Sequence, residues 1–155
     1  MRNITMYGVR VIKSLSGADR VHIEFNAGGT FAANDFVKFD DSGEIVVGTA
    51  GAGILGVARE AATTGTDDVQ VDISPDMIVL MDNDNDGDTF VVTDIGLCGD
   101  FVGGTGAMQA DTSSFSNTIA NMRCIGYNPQ GYGYDTDTSI GLYYVTEREL
   151  AEREL

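Results

Sequence analysis

Short apolar runs separated by clusters of Gly, Asp, Asn, Ser and Thr extend along most of the chain. Residues 21–25 and 69–73 alternate apolar with polar side chains, which is the period of a β-strand with one buried face. Residues 77–81 read Met-Ile-Val-Leu-Met, and such a continuous run predicts a strand that is buried on both faces. Further strands are predicted at 36–39, 44–47, 54–58, 89–92, 118–127 and 141–145. The pattern therefore predicts an all-β fold, a small β-barrel or sandwich of short strands.

The residues between these runs predict two hairpins and one long loop. Residues 40–43 (Asp-Asp-Ser-Gly) have a turn former at every position, which is typical of a four-residue hairpin loop. Together with the run at 54–58, this hairpin is predicted to form a compact β meander. The acidic residues 82–88 predict a second hairpin turn between the strands on either side of them. Residues 96–116 are rich in Gly and Ser and are predicted to form a long surface loop or a hairpin tip.

The two ends of the chain are predicted to differ from the β domain at 17–145. Residues 1–16 are predicted to be an extended N-terminal arm or a first strand, and an arm could pair with the sheet edge of a neighbouring chain. Residues 146–155 are predicted to be a short C-terminal helix, because they begin with capping-box spacing (Thr-Glu-Arg-Glu). So short a helix is marginally stable by itself. It is therefore expected to dock through Leu150 and Leu155.

Composition limits the class of partner. The chain has 155 residues, of which 43% are apolar, and this suits one domain with a hydrophobic core. Lys and Arg total 9 against 24 Asp and Glu, which gives a net charge of −15. Because nucleic-acid phosphates are bound by cationic surfaces, this charge argues against a nucleic-acid partner. The sequence has neither the apolar region of a signal peptide nor a run of transmembrane length, so we expect assembly in the cytoplasm and no membrane partner.

Two cysteines and one histidine supply few candidates for chemistry. Cys98 and Cys124 lack metal-ligand spacing and are predicted to be buried free thiols, with a disulfide as the alternative. His22 is predicted to be an ordinary surface histidine on the polar face of its strand. A catalytic triad based on histidine would have to use this residue, and the carboxylates are too evenly spread to single out a catalytic pair. The sequence therefore predicts a protein that is not an enzyme.

Residues 51–56 read Gly-Ala-Gly-Ile-Leu-Gly, which is the spacing of a dinucleotide-binding loop. Such a loop needs a following helix whose N-terminal amides hold the phosphates. Here residues 63–65 (Thr-Thr-Gly) interrupt the chain soon afterwards, and no further alternation of strands and helices follows. The favoured interpretation is a turn of small residues between two strands.

The acidic turn carries the clearest metal-binding pattern. Residues 82–87 (Asp-Asn-Asp-Asn-Asp-Gly) place carboxylates at positions 1, 3 and 5 of a calcium loop and Gly at position 6. Position 12 is Thr93 where an EF-hand has Glu, which excludes an EF-hand and leaves a calcium-binding β-turn or a solvated hairpin tip. The candidate calcium ligands are Asp82, Asp84, Asp86 and Asp88.

Several tyrosines lie late in the chain, and Tyr is favoured at protein interfaces because its rigid ring carries a hydrogen-bonding hydroxyl. Tyr132 and Tyr134 lie in a Gly-rich stretch and are the candidate interface tyrosines. The alternative for the group as a whole is the core and rim of the β fold.

One segment of the chain has a distinctive pattern of apolar, acidic and glycine positions. It consists of residues 34–40 (Asn-Asp-Phe-Val-Lys-Phe-Asp), 43–46 (Gly-Glu-Ile-Val), Ala50 and 54–58 (Ile-Leu-Gly-Val-Ala). This pattern resembles a segment near the N-terminus of the decoration, or cement, proteins of tailed-phage capsids. It covers about a fifth of the chain.

The resemblance implies a structural virion protein that binds the outside of a mature capsid and stabilises the shell. Members of that family typically form trimers over the threefold and quasi-threefold positions of the shell. The implied partner is the major capsid protein, and the implied location is the capsid surface. The alternatives are another β-rich virion component, such as a head–tail connector or tail-tube subunit, and a calcium-dependent binding module.

Overall fold

The structure is a computed structural model that describes residues 7–63, 68–84, 90–127 and 139–146. Within these ranges the chain forms twelve β-strands and two short 3₁₀ helices, at Val92–Asp94 and Thr112–Ser114. The strands are β1 (Arg10–Ser14), β2 (His22–Asn26), β3 (Phe36–Phe39), β4 (Ile45–Val47), β5 (Gly56–Ala58), β6 (Asp68–Asp72), β7 (Met77–Asp82), β8 (Cys98–Gly99), β9 (Phe101–Val102), β10 (Gln109–Ala110), β11 (Met122–Tyr127) and β12 (Ile140–Val145). The predicted all-β class is confirmed.

Ten of these strands form two five-stranded antiparallel sheets. The first sheet has the order β1-β7-β12-β11-β8, and the second has the order β2-β6-β5-β3-β4. The remaining strands, β9 and β10, pair with each other. All six residues of β7 are buried, and the strand lies between β1 and β12 in the first sheet, which confirms the prediction for the apolar run at 77–81.

The second sheet contains the predicted hairpin of β3 and β4. The Asp40 carboxylate holds its turn by accepting hydrogen bonds from the amides of Ser42 (2.8 Å) and Glu44 (3.0 Å). The predicted meander is wrong, because β5 pairs with β3 and not with β4. The physical reason is that Phe36 and Val37 bury opposite faces of β3, and a strand with two buried faces lies between two neighbouring strands, here β5 and β4.

The second sheet curls so that its two outer strands, β2 and β4, approach each other. Ala27, which follows β2, forms a single parallel bridge to Ile45 of β4, and the Gly28 amide donates to the Ile45 carbonyl (2.8 Å). The described strand pairs therefore form three sheets, and they do not show a closed barrel.

Two hydrophobic cores lie on the two faces of the second sheet. The inter-sheet core joins Phe36 and Val57 of the second sheet to Val79, Met122 and Tyr143 of the first. The inner core lies inside the curl and includes Phe31, Val37, Ile45, Leu55 and Val71. This two-layer arrangement matches the sandwich alternative more closely than the barrel alternative.

The predicted strand at 89–92, and with it the second hairpin, is wrong for the residues that the structure describes. Phe90 is buried against Phe115 (ring centroids 6.2 Å apart), whereas Val92 is 71% exposed and begins a 3₁₀ helix. The Asp94 carboxylate accepts a hydrogen bond from the Val91 amide (2.8 Å), which favours this turn over an extended strand. Strand β7 pairs instead with β1 and β12.

Of the two predictions for residues 96–116, the long surface loop is wrong and the hairpin tip holds, because β9 and β10 pair antiparallel around the turn that joins them. This segment contains β8, β9 and β10, and it buries Phe101 and Met108 completely in the inter-sheet core. Its glycines at 103 and 106 have positive φ angles (92° and 72°) and make the turn between β9 and β10. High Gly content therefore marks a tight turn here and not a long loop.

The structure describes the two ends of the chain in part. Residues 10–14 form β1, which pairs antiparallel with β7, so the first-strand alternative holds for these residues, while residues 1–6 lie outside the described part. Of the predicted helix at 146–155, Thr146 is described, and its amide donates to the Asn121 carbonyl (2.9 Å). Among the described residues, no helix is long and apolar enough to cross a membrane.

Cys98 and Cys124 are buried and free, as predicted. Cys98 lies opposite Arg123 in the pairing of β8 with β11. Because adjacent residues of a strand point to opposite faces, Cys124 projects into the inter-sheet core while Cys98 lies on the other face. Burial raises the pKa of the Cys124 thiol to about 11.

We expect both thiols to resist modification in the folded protein, because thiolate is the reactive form and neither sulfur is exposed. A thiol-reactive chromophore should label no cysteine under native conditions and two per chain after unfolding in denaturant. Rapid native labelling, or fewer than two thiols after unfolding without reductant, would contradict this arrangement.

Candidate functional site

The Gly-rich stretch at 51–56 is a turn between β4 and β5, as the sequence interpretation proposed. Gly51 has a positive φ (78°), and its amide donates to the Asn121 side-chain oxygen (2.8 Å). The Asn121 side-chain nitrogen donates in turn to the Ala52 carbonyl (2.8 Å). Asn121 is completely buried, so this side chain ties the turn to the segment that precedes β11.

The last glycine of the stretch is required by strand packing. An ideal Cβ on Gly56 would lie 2.0 Å from the backbone oxygen of Asp72 in the neighbouring strand β6. Ile54 and Leu55 are buried in the inter-sheet core and the inner core, respectively. The glycine and apolar positions of this stretch therefore serve contacts between strands.

The acidic turn is described as far as Asp84. Asp82 ends β7 and is completely buried, whereas the Asp84 carboxylate accepts hydrogen bonds from the amide and the hydroxyl of Thr112 (3.2 Å each). Asp86 and Asp88 lie outside the described residues. No group of three or more His, Cys, Asp or Glu residues that could hold a metal ion occurs within the described ranges. Calcium binding by this turn stays a prediction.

The candidate interface residues Tyr132, Tyr134, Leu150 and Leu155 all lie outside the described residues. Their roles at an interface therefore stay predictions.

A charged cluster that the sequence analysis missed lies on β2 and its neighbours. The Arg59 Nη1 atom donates to His22 Nδ1 (2.9 Å), and His22 Nε2 lies 3.4 Å from the Asp72 carboxylate. Arg20 reaches the same carboxylate through Nε (2.8 Å) and Nη2 (2.7 Å). Both nitrogens of the His22 ring therefore face protein groups. These partners lie up to 52 residues apart in the sequence, so no local pattern signals the cluster.

Asp72 is the buried centre of this charged cluster. Its second oxygen accepts hydrogen bonds from the Ser74 hydroxyl (2.6 Å) and amide (3.0 Å). Burial raises the pKa of Asp72, but the Ser74 hydrogen bonds and the Arg20 guanidinium outweigh burial and leave this pKa below its usual value. The carboxylate thereby holds Arg20, which lies just before β2, against the end of β6.

Asp35, in the segment that carries the family resemblance, is a second buried carboxylate. It accepts hydrogen bonds from the Ala32 amide (2.9 Å) and from the Gly106 amide (3.0 Å), and so joins the turn before β3 to the turn between β9 and β10. Burial raises its pKa and outweighs these hydrogen bonds, which lower it. The stability that follows from this shift is present below the usual pKa of 3.8 and is lost as pH rises through the folded-state pKa.

The apolar face of β2 is incompletely covered. Val21 is 39% exposed and Ile23 is 43% exposed, while Phe25 of the same face packs edge-on against Phe39 (ring centroids 5.5 Å apart). His22 and Glu24 occupy the opposite face, as the sequence alternation predicted. We call residues 21–25 the β2 edge, because β2 is an outer strand of the second sheet.

Comparison with known proteins adds no family. No protein-family model matches the chain, and a search of curated proteins finds no match. Functional inference therefore rests on the residues described above. An ordered, partly apolar strand edge next to a fixed charged cluster is suited to binding another protein.

Replacing Gly56 with Ala should destabilise the protein strongly, because the added methyl group cannot coexist with the Asp72 carbonyl unless β5 and β6 separate. We expect a loss of about 1–3 kcal/mol in the free energy of unfolding, measured by urea denaturation. Gly104→Ala is the matched control, since nothing lies within 4 Å of its ideal Cβ. Equal effects of the two substitutions would contradict the close strand contact.

Replacing Asp72 with Asn should cost about 1–3 kcal/mol of unfolding free energy at pH 7, because the carboxylate accepts charge-assisted hydrogen bonds. The lowered pKa contributes stability above the usual value of 3.8, and this is lost as pH falls through the folded-state pKa. Urea denaturation should therefore show the gap between wild type and variant narrowing below about pH 4. Asp41→Asn, in an exposed turn, is the control, and a gap that widens in acid would refute the assignment.

Proposed function

We propose that the chain is a structural virion protein that binds the outside of a mature tailed-phage capsid and stabilises the shell. The observation that supports this best is the fold of residues 34–58, the segment that resembles decoration proteins. Phe36, Val37 and Leu55 are completely buried there, and the turn at Gly51 is held by Asn121. Residues of the pattern that resembles decoration proteins are therefore residues that stabilise the fold. Proteins that share a fold are expected to share such residues.

The charge of the chain is compatible with the outer surface of a capsid. A net charge of −15 would repel packaged nucleic acid, whereas an outward-facing position carries no such cost. High net charge also keeps an abundant virion component soluble before assembly.

The proposed mechanism is binding without chemistry. A homotrimer on the shell would touch several subunits of the major capsid protein, so that modest contacts at each subunit add up to high avidity. Selective binding to the mature lattice stabilises that lattice by mass action. Tyr132 and Tyr134, together with Leu150 and Leu155, are the proposed contact side chains.

Purified protein should bind expanded capsids that lack it and leave precursor shells unbound. We would measure the oligomeric state by size-exclusion chromatography with light scattering, and binding by cosedimentation with each kind of shell.

Because aromatic interface residues carry much of the energy of a contact, Tyr132→Ala combined with Tyr134→Ala should weaken binding about tenfold or more. Ile119→Ala is the control, since Ile119 is a large exposed side chain outside the proposed contact.

A strict monomer that ignores expanded capsids would refute the proposal. Polymerisation into rings without shells would indicate a tail-tube subunit in its place. Equal binding to both kinds of shell would contradict selectivity for the mature lattice.

A further inference from the structure

The β2 edge presents free backbone groups on one side. The Ile73 amide donates to the Val21 carbonyl (2.9 Å), so Val21 and the residues in phase with it, Ile23 and Phe25, direct their backbone groups towards β6. Successive residues of a strand direct these groups to opposite sides. His22 and Glu24 therefore direct their amides and carbonyls away from β6.

A second contact confirms this phase. Gln70 lies opposite Glu24, and its carbonyl accepts a hydrogen bond from the Arg59 amide (2.9 Å) on the side of β5. In an antiparallel pair, a residue whose backbone turns away from its partner lies opposite a residue that does the same. Within the described part of the chain, no strand pairs with His22 or Glu24 on their outer side, and the free stretch on that side ends at the bridge between Ala27 and Ile45 of β4.

We propose that the β2 edge pairs with the β2 edge of a second copy of this chain, antiparallel and about a twofold axis. In the register centred on Ile23, His22 lies opposite Glu24 of the second copy, and Glu24 lies opposite the second copy's His22. Both pairs consist of residues that face outward, so each exchanges two backbone hydrogen bonds. The two Ile23 side chains meet at the centre of the apolar face.

Charge selects this register and a second copy as the occupant. Two neighbouring registers keep the backbone phase, but one places Glu24 opposite Glu24, where like charges are unfavourable, and the other sets two His22 rings opposite each other, each hydrogen-bonded to an Arg59 guanidinium. In the Ile23-centred register, Glu24 faces a His22 ring that is hydrogen-bonded to the Arg59 guanidinium. The edge is thus complementary to itself in charge as well as in backbone phase.

The contact also covers apolar surface that the single chain leaves open. Val21 and Ile23 are 39% and 43% exposed, and the proposed register sets Val21 opposite Phe25 of the second copy on the same face as Ile23. Arg20 and Ser74 hold the approach to β2 in place through Asp72, so the edge is ordered before pairing. The product is a continuous sheet that runs through two copies.

A cysteine at position 23 tests the contact. Residues opposite each other in a pair without backbone hydrogen bonds have Cα atoms about 4.5 Å apart, which is within disulfide range. Ile23→Cys should therefore form a covalent dimer under mild oxidation, seen on a non-reducing denaturing gel. Cys98 and Cys124 are buried and should not compete. The control is Val21→Cys, whose two copies would lie about 13 Å apart, too far for a disulfide.

A substitution that reverses the charge of Glu24 provides a second test. Glu24→Lys in the Ile23→Cys background should lower the yield of dimer about fivefold or more, because the introduced ammonium group would face the cationic side of the second copy. Asp41→Lys makes the same change in charge at the exposed hairpin turn and should leave the yield unchanged. Melting curves would verify that each variant is folded.

Equal dimer yields from Ile23→Cys and Val21→Cys would overturn the proposal, as would equal effects of the two lysine substitutions. The contact goes beyond the proposed function and does not depend on it. A covalent dimer would form whether or not the protein binds capsids, and whether or not three copies also associate elsewhere on their surfaces.

Discussion

Strand β3 has to bury both of its faces, and the arrangement of the second sheet depends on this constraint. Phe36 is completely buried in the inter-sheet core and Val37 in the inner core. The strand therefore lies inside the sheet, between β5 and β4, with the Leu55 amide donating to the Val37 carbonyl (2.9 Å) on the approach to β5. The Phe36 amide also donates to the Met108 sulfur (3.1 Å), which ties the segment after β9 to the same strand. Both hydrophobic cores thus meet at two adjacent residues.

The elements that sequence reasoning predicts correctly are those with a strong local signal. The apolar run of β7 and the Asp40 turn of the β3–β4 hairpin are examples, because a continuous apolar run and an Asx-type turn each depend on adjacent residues. The errors occur where tertiary packing decides the outcome. Phe101 and Met108 stand among glycines and polar residues, yet both are completely buried, and their burial favours paired strands with a short turn over the long surface loop.

The same distinction applies to the candidate site. The alternation of β2 predicts correctly that His22 and Glu24 share one face, but the partners of His22 come from other strands. Arg59 is 37 residues away, and Asp72 is held by Arg20 from a distance of 52 residues. A single sequence carries no signal for such pairings. No local pattern indicates the burial of Asp72 either, because a carboxylate at the polar end of an alternating run is ordinarily solvated.

These features support the proposal that the protein acts through its surfaces. Its two sheets are fixed by buried side chains, its net charge is −15, and its outer strand β2 keeps an ordered and partly apolar edge. The central claim is that this body stabilises a mature capsid from outside. Differential scanning calorimetry of expanded shells, with and without saturating protein, tests it most directly. We expect the protein to raise the temperature at which the shells disrupt, because selective binding stabilises the mature lattice by mass action. An unchanged disruption temperature at saturation would contradict it.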